Sequence, residues 1–170
     1  MLRAFLRSPT DVDAAETMTR LNAFLCESKR LEPKDDTGFV CLVLVIVDTA
    51  TGEATFVASG TEPPLLLRAS GETEEIKLSG LPLGVMPGFS YTTTTRNLEA
   101  GDVLLLFTDG LTEARRGKDF LDYEGVTRLA QEAVSRNTPG GIGKAILDGV
   151  RAFAGGALQD DACLLIARRL

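Results

Sequence analysis

The chain has 170 residues, of which 44% are hydrophobic, and this is enough for one compact domain with a core. Its 24 acidic and 18 basic residues give a formal net charge of -6, which argues against a sequence-independent grip on nucleic acid. The longest apolar run, residues 39–47, is far shorter than the roughly 20 residues that a membrane-spanning helix needs. We therefore expect a soluble, cytoplasmic protein with neither a nucleic acid nor a membrane as partner.

The chain contains no histidine, and this excludes several catalytic classes together. Ser-His-Asp and Cys-His nucleophile systems, HExxH zinc sites and histidine general bases are all impossible. Patterns for a P-loop or a dinucleotide fingerprint are also absent. The three cysteines are far apart and form no CxxC pair, which indicates free, packed thiols in a reducing compartment: Cys26, Cys41 and Cys163. Any catalysis must therefore use carboxylates, cations or a metal.

The first predicted element is an amphipathic helix over residues 10–27, which Thr10 would cap. Its apolar positions recur at helical spacing: Ala14, Met18, Leu21 and Leu25. This pattern predicts a helix that lies on a core.

A series of strands is predicted next. The continuous apolar run at residues 39–47 predicts a buried strand, and the turn that follows it predicts a hairpin with residues 54–58. Proline and glycine clusters separate four further candidate strands, at residues 65–68, 75–78, 91–96 and 103–108. The middle of the chain therefore reads as an antiparallel meander.

The period of the apolar positions then changes to that of helices. One helix is predicted around residues 126–134 and another around residues 142–153, before a short apolar strand at residues 162–167. No internal repeat or low-complexity tract interrupts this order. The sequence therefore predicts an α+β fold in which helices cover antiparallel sheet faces, with a mixed topology left open.

Acidic residues flank two of the predicted strands. Asp109 directly follows the strand at 103–108, and Asp160 and Asp161 directly precede the final strand. If these strands are antiparallel neighbours, the carboxylates converge, and a hard divalent cation such as Mg²⁺ or Mn²⁺ would neutralise their repulsion. The alternative is that Asp-Gly forms a common turn and the aspartate pair a polar loop. Spacing alone leaves both interpretations open.

Residues 101–114, GDVLLLFTDGLTEA, resemble the "GD.LLLYTDGl.EA" segment of the PPM-type metal-dependent serine/threonine protein phosphatases, in their bacterial SpoIIE-like, RsbU-like branch. Three further stretches also match, and all of them occur in the order that the family has: residues 21–22, 82–85 and 160–165. The resemblance covers essentially the whole chain. It implies a single phosphatase domain over residues 1–170, a layered sandwich of two antiparallel β-sheets flanked by helices.

The resemblance also implies roles for particular residues. Asp109 resembles the metal-bridging aspartate of the TDG motif, and Asp160 resembles a metal-ligating aspartate near the C-terminus, with Asp161 in a supporting position. In the family, two Mn²⁺ or Mg²⁺ ions activate a water that attacks phosphorus, so no other catalytic side chain is expected. Gly110 either shapes the turn after the strand or lies at the metal, and Asp102 belongs to the turn that opens the strand. The implied activity is hydrolysis of phosphoserine or phosphothreonine on a bacterial signalling protein such as an anti-sigma factor antagonist.

The sequence departs from the family pattern in two places. The early GGD.YD and D..GHG motifs, which supply further metal ligands, are absent, and the first seven residues resemble the helix that follows them. The chain is therefore expected to begin just downstream of both motifs. At residues 60–64, Gly-Thr-Glu-Pro-Pro stands where the family has Gly-His-Pro-Pro.

These departures carry physical consequences. Two carboxylates cannot hold a rigid two-metal site, so weak or single-metal binding is expected. A catalytically incompetent phosphatase-like module, with a binding or regulatory role, is the alternative function. Missing strands would also expose sheet edges and apolar faces, which a homo-oligomer, strand exchange or a partner chain would cover.

Overall fold

The structure is a computed structural model, and it describes residues 13–31, 38–136 and 138–170. The chain divides into two compact units. The first is Met1–Thr61 with Lys77–Leu98, and the second is Glu62–Ile76 with Glu99–Leu170. Within the described residues, no helix is long and apolar enough to cross a membrane.

The first unit combines one described helix with antiparallel strands, and the second combines three helices with antiparallel strands. In chain order the elements are α1 (Ala14–Leu31), β1 (Leu42–Val47), β2 (Glu53–Ser59), β3 (Leu65–Leu67), β4 (Thr73–Glu75), β5 (Thr94–Asn97), β6 (Val103–Phe107), α2 (Asp109–Thr112), β7 (Arg115–Arg116), β8 (Asp119–Phe120), α3 (Asp122–Ala133), α4 (Pro139–Phe153) and β9 (Leu164–Arg168). The predicted α+β fold with antiparallel sheets and helices is confirmed.

The sheet of the first unit has the order β1-β2-β5. The predicted hairpin is confirmed, since β1 and β2 pair antiparallel from Leu42 opposite Ser59 to Val47 opposite Ala54. The prediction that its first strand is buried is wrong. In the described part of the chain β1 pairs on one side only, and its side chains are half-buried or exposed, while the central strand β2 is mostly buried. Covering of this edge by another chain stays a prediction.

Helix α1 packs Ala14 and Met18 into the core of the first unit. The side chain of Asp13 accepts a hydrogen bond from the Glu16 amide at 3.0 Å, which caps the first turn. The predicted cap at Thr10 lies outside the described residues. The helix continues four residues beyond the predicted end at residue 27.

A buried polar residue, Asn22, replaces one of the expected core positions of α1. Its side-chain amide donates to the Met86 carbonyl and accepts from the Gly84 amide, both at 2.9 Å. Leu21 was predicted to face the core but is 40% exposed, because the helix turns Asn22 inward instead. Asn22 thereby joins α1 to the Pro-Leu-Gly segment of the same unit.

The sheet of the second unit has the order β4-β3-β6-β9, with every pair antiparallel. All five residues of the central strand β6 are buried, and α3 and α4 contribute to the same apolar core. The meander predicted for the middle of the chain is wrong, because consecutive strands such as β2 and β3 lie in different sheets, while the two antiparallel sheets that the resemblance implied are present. Pro63 and Pro64 lie between these two strands and lack the amide hydrogens that would continue a ladder.

All three cysteines lie in the described residues, and none of them forms a disulfide bond. Cys26 is half-buried, but Cys41 and Cys163 are exposed, so packing was wrongly expected for these two. Cys41 lies one residue before β1 and Cys163 one residue before β9, so both are outside the sheets.

The Thr61 hydroxyl oxygen is buried and has no hydrogen-bond partner among the described residues. Replacing Thr61 with valine, which has nearly the same shape, should raise the free energy of unfolding by about 1 kcal/mol, because it removes an unsatisfied polar group. Urea unfolding of Thr61→Val checks this, with Thr95→Val at an exposed strand position as control. A loss of stability in Thr61→Val would contradict the prediction.

Candidate metal centre

The predicted convergence of the acidic residues depends on the pairing of two strands, and the structure has that pairing. Strands β6 and β9 are antiparallel, with Phe107 opposite Leu164. The C-terminal end of β6, which leads to Asp109, therefore lies beside the N-terminal end of β9, which follows Asp160 and Asp161.

Thr108 joins the two strand ends through its hydroxyl and its backbone. The hydroxyl donates to the Asp161 carbonyl at 3.0 Å and accepts from the Cys163 amide at 2.9 Å. The Thr108 amide donates to the Cys163 carbonyl at 3.1 Å. These three bonds hold the residue before Asp109 against the segment that follows Asp160.

Gly110 allows the closest approach between the two segments. A Cβ atom added there would lie 2.5 Å from the Asp161 carbonyl oxygen and 3.1 Å from the Ala162 nitrogen. Its backbone is helical rather than left-handed, so a turn conformation does not explain the glycine. The absence of a side chain is required by the backbone of Asp161 instead.

The carboxylates themselves face solvent. Asp109 begins the short helix α2 and is exposed, as are Asp160 and Asp161. One oxygen of Asp160 accepts from the Asp161 amide at 2.6 Å, which fixes the side chain at the entrance to β9. The backbone of Asp109 is fixed by the Glu113 amide, which donates to its carbonyl at 2.7 Å.

The residues fit only part of a metal site. In the ranges that the structure describes, no three side chains among aspartate, glutamate, cysteine and histidine are grouped so that they could hold a metal ion. Asp109 and Asp160 offer hard oxygen ligands of the kind that Mn²⁺ and Mg²⁺ prefer. Two carboxylates are fewer ligands than a two-metal centre needs, and weak or single-metal binding stays a prediction.

A cleft of about 300 Å³ lies in the second unit, beside the C-terminal end of α2. It is lined by Glu62, Thr112, Glu113, Phe120, Asp122 and Tyr123. Sequence reasoning did not identify these residues as a group. One signal was the departure at residues 60–64 from Gly-His-Pro-Pro, since Glu62 comes from that segment.

The family model described as "Stage II sporulation protein E (SpoIIE)" matches residues 1–170. The phosphoserine phosphatase RsbU of Bacillus subtilis is 26% identical over 136 residues, which are 79% of this chain and 40% of that protein. The stage II sporulation protein E of Bacillus subtilis is 23% identical over 133 residues, 78% of this chain and 16% of that protein. The chain thus spans less than half the length of these relatives.

Solved structures have the same fold. The RsbU and RsbW domains of a Mycobacterium tuberculosis protein align with a TM-score of 0.73 and 23% identity, covering 93% of this chain and 42% of that one. The SpoIIE phosphatase domain of Bacillus subtilis, presoaked with Mn, gives 0.66 and 21%, covering 98% and 74%. The catalytic domain of the serine/threonine phosphatase PstP, in complex with two manganese ions, gives 0.71 and 16%, covering 96% and 74%. The family match over residues 1–170 shows that the chain belongs to the SpoIIE family, and the solved structures show that it shares their fold.

Proposed function

We propose that this chain acts in a metal-dependent protein phosphatase that hydrolyses phosphoserine or phosphothreonine, with Asp109 and Asp160 as ligands of Mn²⁺ or Mg²⁺. The observation that carries the proposal is the antiparallel pairing of β6 with β9, which brings the ends that bear these aspartates together. A bound divalent cation would supply an activated water and positive charge for the phosphate.

The residues of this chain have separate tasks in that proposal. Asp109 and Asp160 present exposed carboxylates to a cation from solvent, while hydrogen bonds hold the backbone or side chain of each. Thr108 and Gly110 keep the two segments in register through their contacts with Asp161. Asp161 contributes its backbone to this register, and the supporting position implied for its carboxylate stays a prediction.

The substrate that we propose is a phosphorylated bacterial signalling protein, such as an anti-sigma factor antagonist. Similarity to a protein named phosphoserine phosphatase RsbU supports this, as does the shared fold with a structure of RsbU and RsbW domains. The net charge of -6 gives no support to a nucleic-acid partner.

A second candidate is a binding or regulatory module that keeps the phosphatase fold without turnover. It is favoured by one observation, that no three potential ligands are grouped in the described residues. Two carboxylates completed by water would bind a single ion weakly.

The decisive experiment is Mn²⁺-dependent hydrolysis of p-nitrophenyl phosphate and of a phosphoserine peptide. We expect metal-dependent turnover that falls about a hundredfold or more in Asp109→Asn and Asp160→Asn, because each loses a charged ligand. Asp119→Asn, at an exposed position of β8, is the control and should be unchanged.

Mn²⁺ binding, followed by the electron paramagnetic resonance signal of the free ion, separates the two candidates. Binding that needs Asp109 and Asp160 but gives no turnover would favour the noncatalytic module. Binding or turnover that is indifferent to both substitutions would refute the proposed metal centre.

A further inference from the structure

The cleft beside α2 contains a hydrogen bond that links the loop at residues 60–64 to α2, the helix that Asp109 begins. The Thr112 hydroxyl lies 2.8 Å from Oε1 of Glu62 and donates to it. The two residues are 50 positions apart in the sequence. Glu62 belongs to the Gly-Thr-Glu-Pro-Pro segment, in which this chain departs from its family pattern.

The loop that carries Glu62 is itself fastened to α3. The Tyr123 hydroxyl lies 3.2 Å from the Pro63 carbonyl and 3.4 Å from the Pro64 carbonyl, so it can donate to either. Burial raises the pKa of Tyr123, and the negative charges of Glu75 and Glu62 raise it further, so the phenol keeps its proton. The hydrogen bond from Tyr123 therefore holds the loop from which Glu62 contacts α2.

Helix α2 depends on such contacts because it is only four residues long. A single helical turn is unstable without tertiary support, since the entropy of fixing its backbone exceeds the gain from one hydrogen bond. Gly110 supports one part of α2 through its contact with Asp161. Thr112, which is 7% exposed, supports the other end.

The Thr112 hydroxyl has two acceptors but only one proton. It lies 3.0 Å from the Asp109 carbonyl oxygen and 2.8 Å from the Glu62 carboxylate. A carboxylate is the stronger acceptor of the two. The bond to Glu62 therefore fixes the last residue of the turn that Asp109 begins.

We propose that Glu62 is a positioning residue for Asp109: it holds α2 through Thr112 and so sets the affinity of the candidate metal centre. This role rests on the proposed function, in which Asp109 binds the cation. Glu62 does not need to touch the metal or the substrate.

The test compares Mn²⁺ affinity, measured by electron paramagnetic resonance, across matched variants. Glu62→Ala should weaken binding by about tenfold, because it removes a hydrogen bond to a charged acceptor. Glu62→Gln keeps an acceptor oxygen and should restore affinity to within about twofold of the wild type. Glu113→Ala removes the same charge from the same cleft without breaking a side-chain bond to Thr112, and should also stay within about twofold.

A second readout is independent of the metal. Hydrogen exchange of the Glu113 amide, which donates to the Asp109 carbonyl, should speed up about tenfold in Glu62→Ala but not in Glu62→Gln. Thermal unfolding of each variant identifies any global loss of structure, in which case the glutamine variant and the Glu113 control decide the question.

The outcomes distinguish this inference from the proposed function. Mn²⁺ binding that is lost in Asp109→Asn but unchanged in Glu62→Ala would overturn the positioning role alone. Equal weakening in Glu62→Ala and Glu113→Ala would also overturn it, because charge and not the hydrogen bond would then be the cause. A wild-type chain that binds no Mn²⁺ would overturn the proposed metal centre and the positioning role together.

Discussion

Gly110→Ala is expected to lower the free energy of unfolding by about 2 kcal/mol and to abolish the divalent-cation binding proposed above. The added Cβ would lie 2.5 Å from the Asp161 carbonyl oxygen and 2.9 Å from its carbonyl carbon. Both are backbone atoms, which cannot swing aside as the end of a side chain can. The segment that bears Asp160 must therefore move away from α2, and the two carboxylates separate.

A loss of stability in Gly110→Ala would be informative, because helix propensity alone predicts a gain of stability when alanine replaces glycine. Alanine is favoured over glycine inside a helix by about 1 kcal/mol, so a glycine without a packing role should gain stability on substitution. Gly140, near the start of α4, is such a control, since an added Cβ meets no atom within 4 Å. Urea unfolding should place Gly140→Ala at or above the wild type and Gly110→Ala well below it. A neutral or stabilising Gly110→Ala would show that the close approach to Asp161 is not needed.

The order of the larger elements could be predicted from the sequence because each has a strong local pattern. Period-2 and period-3.6 patterns do not, however, specify which strands pair, and β2 and β3 enter different sheets although they are neighbours in sequence. The four-residue helix α2 and the two-residue strands β7 and β8 are too short to show any period. Asn22 illustrates a different limit, because its burial depends on partners more than 60 residues away.

Some contacts of the candidate site could likewise be predicted from the sequence, and others could not. The proximity of Asp109 to the Asp160 segment could be predicted because it follows from one antiparallel pairing of two recognisable strands. The contact between Glu62 and Thr112 could not, since it joins a loop to a short helix and no local spacing encodes it. For Gly110, the sequence left a turn and a metal role open, and the structure gives a third reason, the space that the Asp161 backbone occupies.

Asp102, at the opposite end of β6 from Asp109, is the one buried acid among the described residues of the second unit. It is 3% exposed and accepts hydrogen bonds from the Glu99 amide, the Ala69 amide and the Arg68 guanidinium, at 2.8–2.9 Å. The bond from Glu99 confirms that Asp102 belongs to the turn that opens the strand. Arg68 also pairs with Glu74 at 2.9 Å, so the network joins β6 to the β3–β4 hairpin.

Asp102→Asn is expected to lower the free energy of unfolding at pH 7 by about 3 kcal/mol, because the Arg68 charge loses its buried partner and the new amide hydrogens face other donors. Burial by itself would raise the pKa of Asp102, but the hydrogen bonds from Glu99, Ala69 and Arg68 outweigh it and lower the pKa below its ordinary value. A carboxyl whose pKa is lower in the folded state adds stability above its unfolded pKa of about 3.9, and this stability disappears as the pH falls through the folded pKa.

The difference in stability between the wild type and Asp102→Asn should therefore be largest near neutral pH and shrink as the pH falls below about 4. Urea unfolding at a series of pH values measures it. Asp148 is a matched control, since the pKa of this carboxyl is also lowered, chiefly by its hydrogen bond with Lys144, but the pair is exposed to solvent. Asp148→Asn should have little effect at any pH, because exposed ion pairs contribute little. If Asp102→Asn were less stable than the wild type by the same amount at every pH, the charge of Asp102 would not be the source of the stability.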